Sequence, residues 1–229
     1  MTTLAGQKAI LLGSTGAVGG HVLAELLRSP VFTAVTTVGR RPAEVPDPPA
    51  KLAQHVVNLE EPASYQPLLA GHDAALCTLG VGQPSKFPRE EVRKIEVDYV
   101  MGFARVCRSE GVKHFSLMTS VGADPKSRIE YIEMKGSLEE QVKALQFQRT
   151  SFFQPSMILT PQNRYGVTQA LTLAIWPKIN WALVGGLRRL RGIKVEDLGR
   201  AMALNAARAG EGVERFTWDG FQEILRGGA

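Results

Sequence analysis

The sequence predicts an α/β fold, a doubly wound and mainly parallel sheet with helices on both faces, and three observations carry that prediction. Apolar runs of strand length alternate with amphipathic segments of helical period along most of the chain. The first apolar run, Ala9 to Leu12, passes directly into Gly13-Ser14-Thr15-Gly16-Ala17-Val18-Gly19 and from there into a helical pattern, the strand-turn-helix unit of parallel sheets. A length of 229 residues with 44% hydrophobic content suffices for one sizeable core. A single domain over residues 1–229 is therefore expected, with residues 162–229 supplying a small C-terminal region on the substrate side.

Each element can be justified in turn. Val18, Val22, Leu23, Leu26 and Leu27 repeat at helical spacing from Ala17 to Arg28, and Ser29-Pro30 stops that helix. Ala34 to Val38 reads as the second strand, followed by a proline-rich connection from Arg41 to Ala50 and a third strand from His55 to Asn58. A short helix from Ala63 to Leu69 leads to the strand Ala74 to Leu79. One long helix is expected from Arg89 to Ser109, with Val92, Ile95, Tyr99, Val100, Phe103, Val106 and Cys107 on its apolar face and Gly111 ending it. The strand His114 to Met118, a loop with Gly122 and Asp124-Pro125, a helix from Ile129 to Leu145 and the strand Ser151 to Phe153 running into Pro155 complete the alternation. Further on, the apolar segment Ala170 to Leu187 is interrupted by Pro177-Lys178 and Asn180, which makes it a poor membrane span. We expect it to pack over the substrate edge of the sheet as a lid, with Arg188, Arg189 and Arg191 solvated. Val195 to Ala209 reads as an amphipathic helix, and Trp218 and Phe221 as residues closing the C-terminal core.

Charge and cysteine content narrow the function classes. The formal charge of +5 is spread among carboxylates instead of forming a basic stripe with interleaved aromatics, which argues against nucleic acid and for attraction of an anionic small molecule. Cys77 and Cys107 lack metal-ligand spacing and read as buried thiols of a reducing compartment. His21, His55, His72 and His114 have no mutual spacing for a metal, so all four are expected to be structural, and no metal is expected. Met1 to Lys8 contains no apolar core flanked by basic residues, which gives the cytoplasm as the expected compartment.

The glycine run points to a dinucleotide. A strand ending in glycines that turns straight into a helix presents unpaired N–H groups, with the positive end of the macrodipole behind them, to a diphosphate. Gly13 is read as allowing the tight turn, Gly16 the approach of backbone to phosphate, and Gly19 the packing of helix against sheet, with Ser14, Thr15, Ala17 and Val18 completing the cradle. A carboxylate usually stands at the end of the second strand of an NAD site, but here Arg40 and Arg41 stand there, two cationic forks suited to a 2′-phosphate. NADP(H) is therefore the expected cofactor, with Asn58 and Leu59 beside the adenine.

A second constellation carries reaction chemistry. Tyr131 and Lys135 lie four apart on a predicted helix and so share a face. An ammonium beside a phenol favours the phenolate and lowers a pKa that is ordinarily about 10, and it can also bond a nicotinamide ribose. Ser120, just beyond the fifth strand, is placed to donate to a substrate carbonyl oxygen.

With these residues in view, the chain resembles the short-chain dehydrogenase/reductases. Gly13, Gly16 and Gly19 match the glycine spacing of the extended and atypical branches, and Ser120, Tyr131 and Lys135 match the family's catalytic serine, tyrosine and lysine. Val35 to Arg41, Gly71-His72-Asp73, Cys77-Thr78-Leu79-Gly80, Val97-Asp98-Tyr99-Val100, Lys113-His114-Phe115 and Gly122-Ala123-Asp124 look like the Tat-interacting oxidoreductase group of atypical members. The resemblance implies a Rossmann sheet and hydride transfer between NADP(H) and a carbonyl or alcohol substrate. It further implies cofactor contacts from Leu79, Gly80 and Pro155 as well as Tyr131 and Lys135, and a homodimer as one possible assembly. Some members of the group are described as regulators, so the alternative reading is an NADPH-binding sensor that acts through a protein partner without turnover. One departure stands out: Asp98 is read as replacing the Asn of the family's proton relay.

Overall fold

The computed structural model describes residues 4–160 and 180–228. Six strands of the main sheet come from the first part, β1 (Gln7–Leu12), β2 (Phe32–Gly39), β3 (Leu52–Val56), β4 (Ala74–Cys77), β5 (His114–Met118) and β6 (Arg149–Phe153). The helices there are α1 (Ala17–Arg28), α2 (Pro62–Tyr65), α3 (Arg89–Arg93), α4 (Tyr99–Ser109) and α5 (Glu130–Lys143). The short strands β7 (Ile158–Leu159) and β8 (Ile193–Lys194) pair with each other, and the chain finishes with α6 (Val195–Ala206), β9 (Gly212–Phe216) and α7 (Trp218–Gly227). The main sheet has seven strands in the order β3-β2-β1-β4-β5-β6-β9, every pair parallel. This is the α/β Rossmann sheet expected from the alternation, and its direction of growth reverses between β1 and β4, where a crevice opens at the carboxyl ends of the strands.

Both faces of the sheet are covered, which is why β1 reads as a continuous apolar run instead of an alternating one. Its residues still alternate in direction: Ile10 and Leu12 join Phe103, Phe115, Leu138 and Phe152 under α4 and α5, while Ala9 and Leu11 join Val22, Leu26, Leu198, Met202 and Phe221 under α1, α6 and α7. Cys77 and Cys107 are free and buried in the first of these cores. Burial pushes the Cys77 thiol up to about 12 and the Cys107 thiol well above its ordinary value, so both stay protonated.

Four differences from the sequence reading have physical causes. β3 lies earlier than expected because Leu52 to Val56, and not His55 to Asn58, pair with β2; Val57 donates a last bond to Gly39, after which the chain turns away. The helix expected over 89–109 is broken by a π-helical turn, Lys94–Asp98, that places Glu96 and Val97 side by side in the interior. The strand β9 was not foreseen; its Gly-Val-Glu-Arg-Phe sequence has too few apolar residues to stand out, since it forms a sheet edge with exposed Val213. Finally, residues 195–228 do not sit apart on the substrate side. The helix α6 packs on α1 so closely that a Cβ at Gly199 would lie 2.6 Å from His21 Cβ, and β9 adds the seventh strand.

Most of the expected lid segment Ala170 to Leu187, with Trp176, lies outside the described residues. Its last part runs through 3-10 turns with Trp181, Val184 and Leu187 exposed. Two of the following arginines are not simply solvated: Arg188 pairs with Asp219 at 2.5 Å, and Arg188 and Arg191 both lie over the Trp218 ring.

Candidate functional site

The turn after β1 is built so that only glycine fits. Gly13 has φ +96°, and a Cβ there would lie 2.7 Å from the Leu79 nitrogen. A Cβ on Gly19 would come within 1.9 Å of the Gly13 carbonyl oxygen, so the first turn of α1 is packed directly on the loop it follows. Thr78, at the end of β4, straps the loop by donating to the Gly13 carbonyl at 3.2 Å. Gly16 at the N-terminus of α1 supplies no side-chain cap, and its own N–H donates to the Gly13 carbonyl at 3.0 Å. The roles read from sequence shift slightly: Gly13 and Gly19 carry the close packing, while Gly16 meets only the Gly13 oxygen, at 3.3 Å.

A cleft of about 360 Å³ opens over this turn and is lined by Gly13, Ser14, Thr15, Arg40, Arg41, Leu59 and Leu79. The structure thus brings the glycine loop, the paired arginines and the residues after β3 and β4 to one place. Both arginines are exposed, and neither has an ion-pair partner among the described residues. Three predicted contacts do other work. Val18 is buried in the core beneath α1; Asn58 accepts a bond from the Glu60 N–H at 3.1 Å and so shapes its own turn; Pro155 accepts from the Val121 N–H at 3.0 Å and anchors the loop that carries Ser120. Gly80 lies past β4, where a Cβ would press on the Glu96 carboxylate at 3.2 Å.

The second group sits on α5. Tyr131 and Lys135 stack one turn apart, with the ammonium 5.7 Å from the ring centroid. The loop after β5 is held against this helix: Asp124 N–H donates to the Ile132 carbonyl, and Gly136 lets the Asp124-Pro125 backbone touch the helix where a Cβ would meet it at 2.2 Å. Ser120 stands in that loop, its hydroxyl 3.5 Å from the Val121 carbonyl. Tyr131 lines a cleft of about 370 Å³ whose apolar wall is Phe87, Val92, Ile129 and Met134. An Arg89–Glu130 ion pair spans from α3 to α5 beside it.

The first residue that the sequence did not reveal is Glu96. Lys135 is 3% exposed and Glu96 1% exposed, and the two form a buried ion pair across α5 and the π turn. The other Glu96 oxygen accepts the Val81 N–H at 2.7 Å, tying the loop after β4 to the same carboxylate. Asp98, by contrast, is exposed, and the carboxylate that meets Lys135 is Glu96. The expected depression of the Tyr131 pKa is also corrected. Burial raises the phenol above its ordinary value, and the attraction of Lys135, opposed by Glu96, does not offset it. The Lys135 ammonium, although disfavoured by burial, is held above the usual lysine value by Glu96 and Tyr131. The only sequence signal for Glu96 was a carboxylate one turn before Val100 on an otherwise apolar face. Glu139 was also missed: buried on α5, it gathers bonds from Thr119, Gln154 and Arg215 and so joins β5, β6 and β9 to the helix.

The family model for NAD(P)H-binding domains matches residues 13–162. Protein HTATIP2 of Rattus norvegicus is 34% identical over 154 residues, covering 67% of this chain and 63% of the relative. "Protein fmp52, mitochondrial" of Emericella nidulans is 34% identical over 155 residues, 65% of each chain. The chain therefore matches just under two thirds of the length of these relatives. Among solved structures, MoeE5 in complex with UDP-glucuronic acid and NAD superposes with a TM-score of 0.71 at 18% identity, covering 91% of this chain and 75% of that one. The oxidoreductase ylbE of Lactococcus lactis gives 0.61 at 14%, covering 96% and 97%. These structural likenesses show the Rossmann fold alone. The expected cytoplasmic placement is not upheld by the comparisons: the fungal relatives are named as mitochondrial proteins. Among the described residues no helix is long and apolar enough to cross a membrane. The extent of the family match and the identity to these relatives, set beside the glycine turn and the Tyr131/Lys135 helix, show that the chain belongs to the NAD(P)H-binding Rossmann proteins as an atypical short-chain dehydrogenase/reductase of the HTATIP2 type.

Proposed function

We propose that the protein is an NADP(H)-dependent oxidoreductase acting on carbonyl or alcohol compounds. The observation that carries this reading is the buried Lys135 ammonium beneath Tyr131, in a helix facing an apolar cleft at the same sheet edge as the glycine turn. Burying a charge is costly, and sites that bear that cost beside a titratable partner in a cleft are the usual places for proton transfer. The residues present fit the cofactor. The Gly13 to Gly19 turn, closed to any Cβ at Gly13 and Gly19, would hold the diphosphate, and Arg40 and Arg41 would clamp a 2′-phosphate. When bound, the cofactor supplies the hydride. Tyr131 donates or accepts the proton on the substrate oxygen, Lys135 anchors the ribose and orients the phenol, and Ser120 donates to the same oxygen.

The walls Phe87, Val92, Ile129 and Met134 select apolar aldehydes and ketones as the panel to try. NADPH consumption followed by absorbance is expected for at least one of them. Tyr131→Phe should lower that turnover by about 10² to 10⁴ while NADPH affinity stays nearly unchanged. Activity that survives Tyr131→Phe undiminished would remove Tyr131 from the chemistry. A second reading, a cofactor-binding regulator that docks a protein partner, is favoured by the Glu96 carboxylate that neutralises Lys135. It expects tight NADPH binding with no carbonyl in the panel reduced.

A further inference from the structure

Glu96 has no counterpart in the chemistry set out so far, yet it is among the most buried charges of the described chain. It reaches the site from a π-helical turn, a local widening of the helix that places Glu96 and Val97 together inside. Its two oxygens are divided between two partners: one meets the Lys135 ammonium, and the other takes the Val81 N–H at 2.7 Å. A single carboxylate thereby joins the loop after β4, which borders the cofactor cleft, to the helix that carries Tyr131. Gly80 permits this approach, since a Cβ there would lie 3.2 Å from the same carboxylate.

We propose that Glu96 is a positioning residue: by pairing with the buried Lys135 ammonium and accepting the Val81 N–H, it fixes Lys135 beneath Tyr131 and offsets the lysine charge there. The proposal rests on the reading of Tyr131 as the acid/base group. The charged and titratable groups around Tyr131 are few. Lys135 lies below it on α5 with Glu130 and Glu133 on the same helix, Glu96 faces Lys135 from the π turn, Cys77 of β4 lies near Lys135, and Arg89 and Arg93 of α3 stand across the cleft. Arg89 is paired with Glu130, and Glu133 accepts from the Ser137 hydroxyl at 2.8 Å. Burial is the larger reason that the phenol resists ionisation; among the charges, Lys135 favours the phenolate and Glu96 opposes it. In the reduction the carbonyl carbon gains a hydride from the reduced nicotinamide and the oxygen gains the Tyr131 proton. The products are the alcohol, the oxidised cofactor and a phenolate that a solvent proton restores.

The test reads Tyr131 directly, in the full chain without cofactor or substrate. Tyrosine labelled with carbon-13 at Cζ is incorporated, the Tyr131 resonance is assigned by its loss in Tyr131→Phe, and its ionisation is followed with pH. In the wild type the resonance should stay in its phenol position up to about pH 10. Glu96→Gln keeps the volume and the acceptor for Val81 but removes the charge, and should lower the midpoint by at least about one pH unit, as an uncancelled neighbouring charge does. Glu96→Asp retains the charge at shorter reach and should give a smaller shift in the same direction; it also supplies the answer if Glu96→Gln fails to fold. Equal midpoints in the wild type and in the folded variants would overturn the role of Glu96. Failure of the wild type to reduce any carbonyl would overturn the oxidoreductase reading instead, and would leave this titration as it stands.

Discussion

Arg40 and Arg41 carry the proposed preference for a 2′-phosphate. Two exposed guanidinium groups with no ion-pair partner among the described residues, at the mouth of a cleft floored by Gly13, offer planar forks to a phosphate. The double change to Ala should weaken NADPH binding by about 2 to 5 kcal/mol, taking about 1.5 to 3 kcal/mol for each charged hydrogen-bonding group with partial non-additivity, and should barely change NADH. Calorimetric titration of both cofactors at one salt concentration checks this; equal losses for the two would mean that the arginines do not read the 2′-phosphate. At this scale the sequence was legible where the relevant spacing is local. The glycines and the Tyr131/Lys135 pair declare themselves within a turn of helix or loop. Glu96 did not, because its partner lies 39 residues away and because regular helical periodicity gives no hint of a π turn. Asn58 has a local use that its sequence position does suggest: its side chain accepts the Glu60 N–H in the turn after β3, as Asn often does.

At the scale of elements, the glycine turn and the start of α1 act as one piece. The contact of 1.9 Å that a Cβ on Gly19 would make with the Gly13 carbonyl cannot be relieved by a side-chain rotation, because both sides are backbone. Gly19→Ala should therefore destabilise the protein by about 1 to 3 kcal/mol and weaken NADPH binding at least tenfold, as overpacking forces the loop away from β4. Gly20, one residue on, makes a useful contrast. Its added Cβ would meet nothing closer than the Ser14 oxygen at 3.7 Å, so Gly20→Ala should be neutral or stabilise by up to about 1 kcal/mol through helix propensity. Thermal unfolding of the two variants side by side separates these outcomes, and similar behaviour of both would contradict the packing argument. Most strands and helices were legible because burial on both sheet faces makes parallel strands apolar throughout. The elements that escaped were those whose signal is weak for a physical reason: β9 is an edge, and α3, the π turn and α4 share one continuous apolar stripe that conceals the break.

For the whole molecule, residues 195–216 complete the main sheet and its cover. Arg149 on β6 is buried and bonds the Asn205 carbonyl and side chain and the Arg208 carbonyl of α6 and its end, and it pairs with Glu214 of β9. Ser151 and His114 extend this network, with His114 Nε2 2.9 Å from the Ser151 hydroxyl. Burial, helped by Arg149, pushes the His114 imidazole down to about 3. Since an unfolded histidine titrates near 6.5, the unfolded chain binds a proton that the folded one refuses between those values. Stability from this group is thus complete above about pH 6.5 and falls as the pH drops toward 3. His72, also shifted downward by burial, acts in the same direction. The melting temperature should fall more steeply from pH 7 to 4.5 in the wild type than in His114→Asn, and parallel curves would contradict the assignment.

Isotope transfer tests most directly whether this site moves a hydride under the control of Tyr131. NADPH carrying deuterium at the reactive nicotinamide carbon is incubated with the protein and the apolar carbonyl panel, and the alcohols are examined by mass spectrometry. The account expects deuterium on the carbinol carbon of at least one product with the wild-type protein, and a loss of about 10² to 10⁴ in its rate of appearance with Tyr131→Phe. A protein that binds NADPH yet transfers no label to any carbonyl, or transfers it equally well without the Tyr131 hydroxyl, would contradict it.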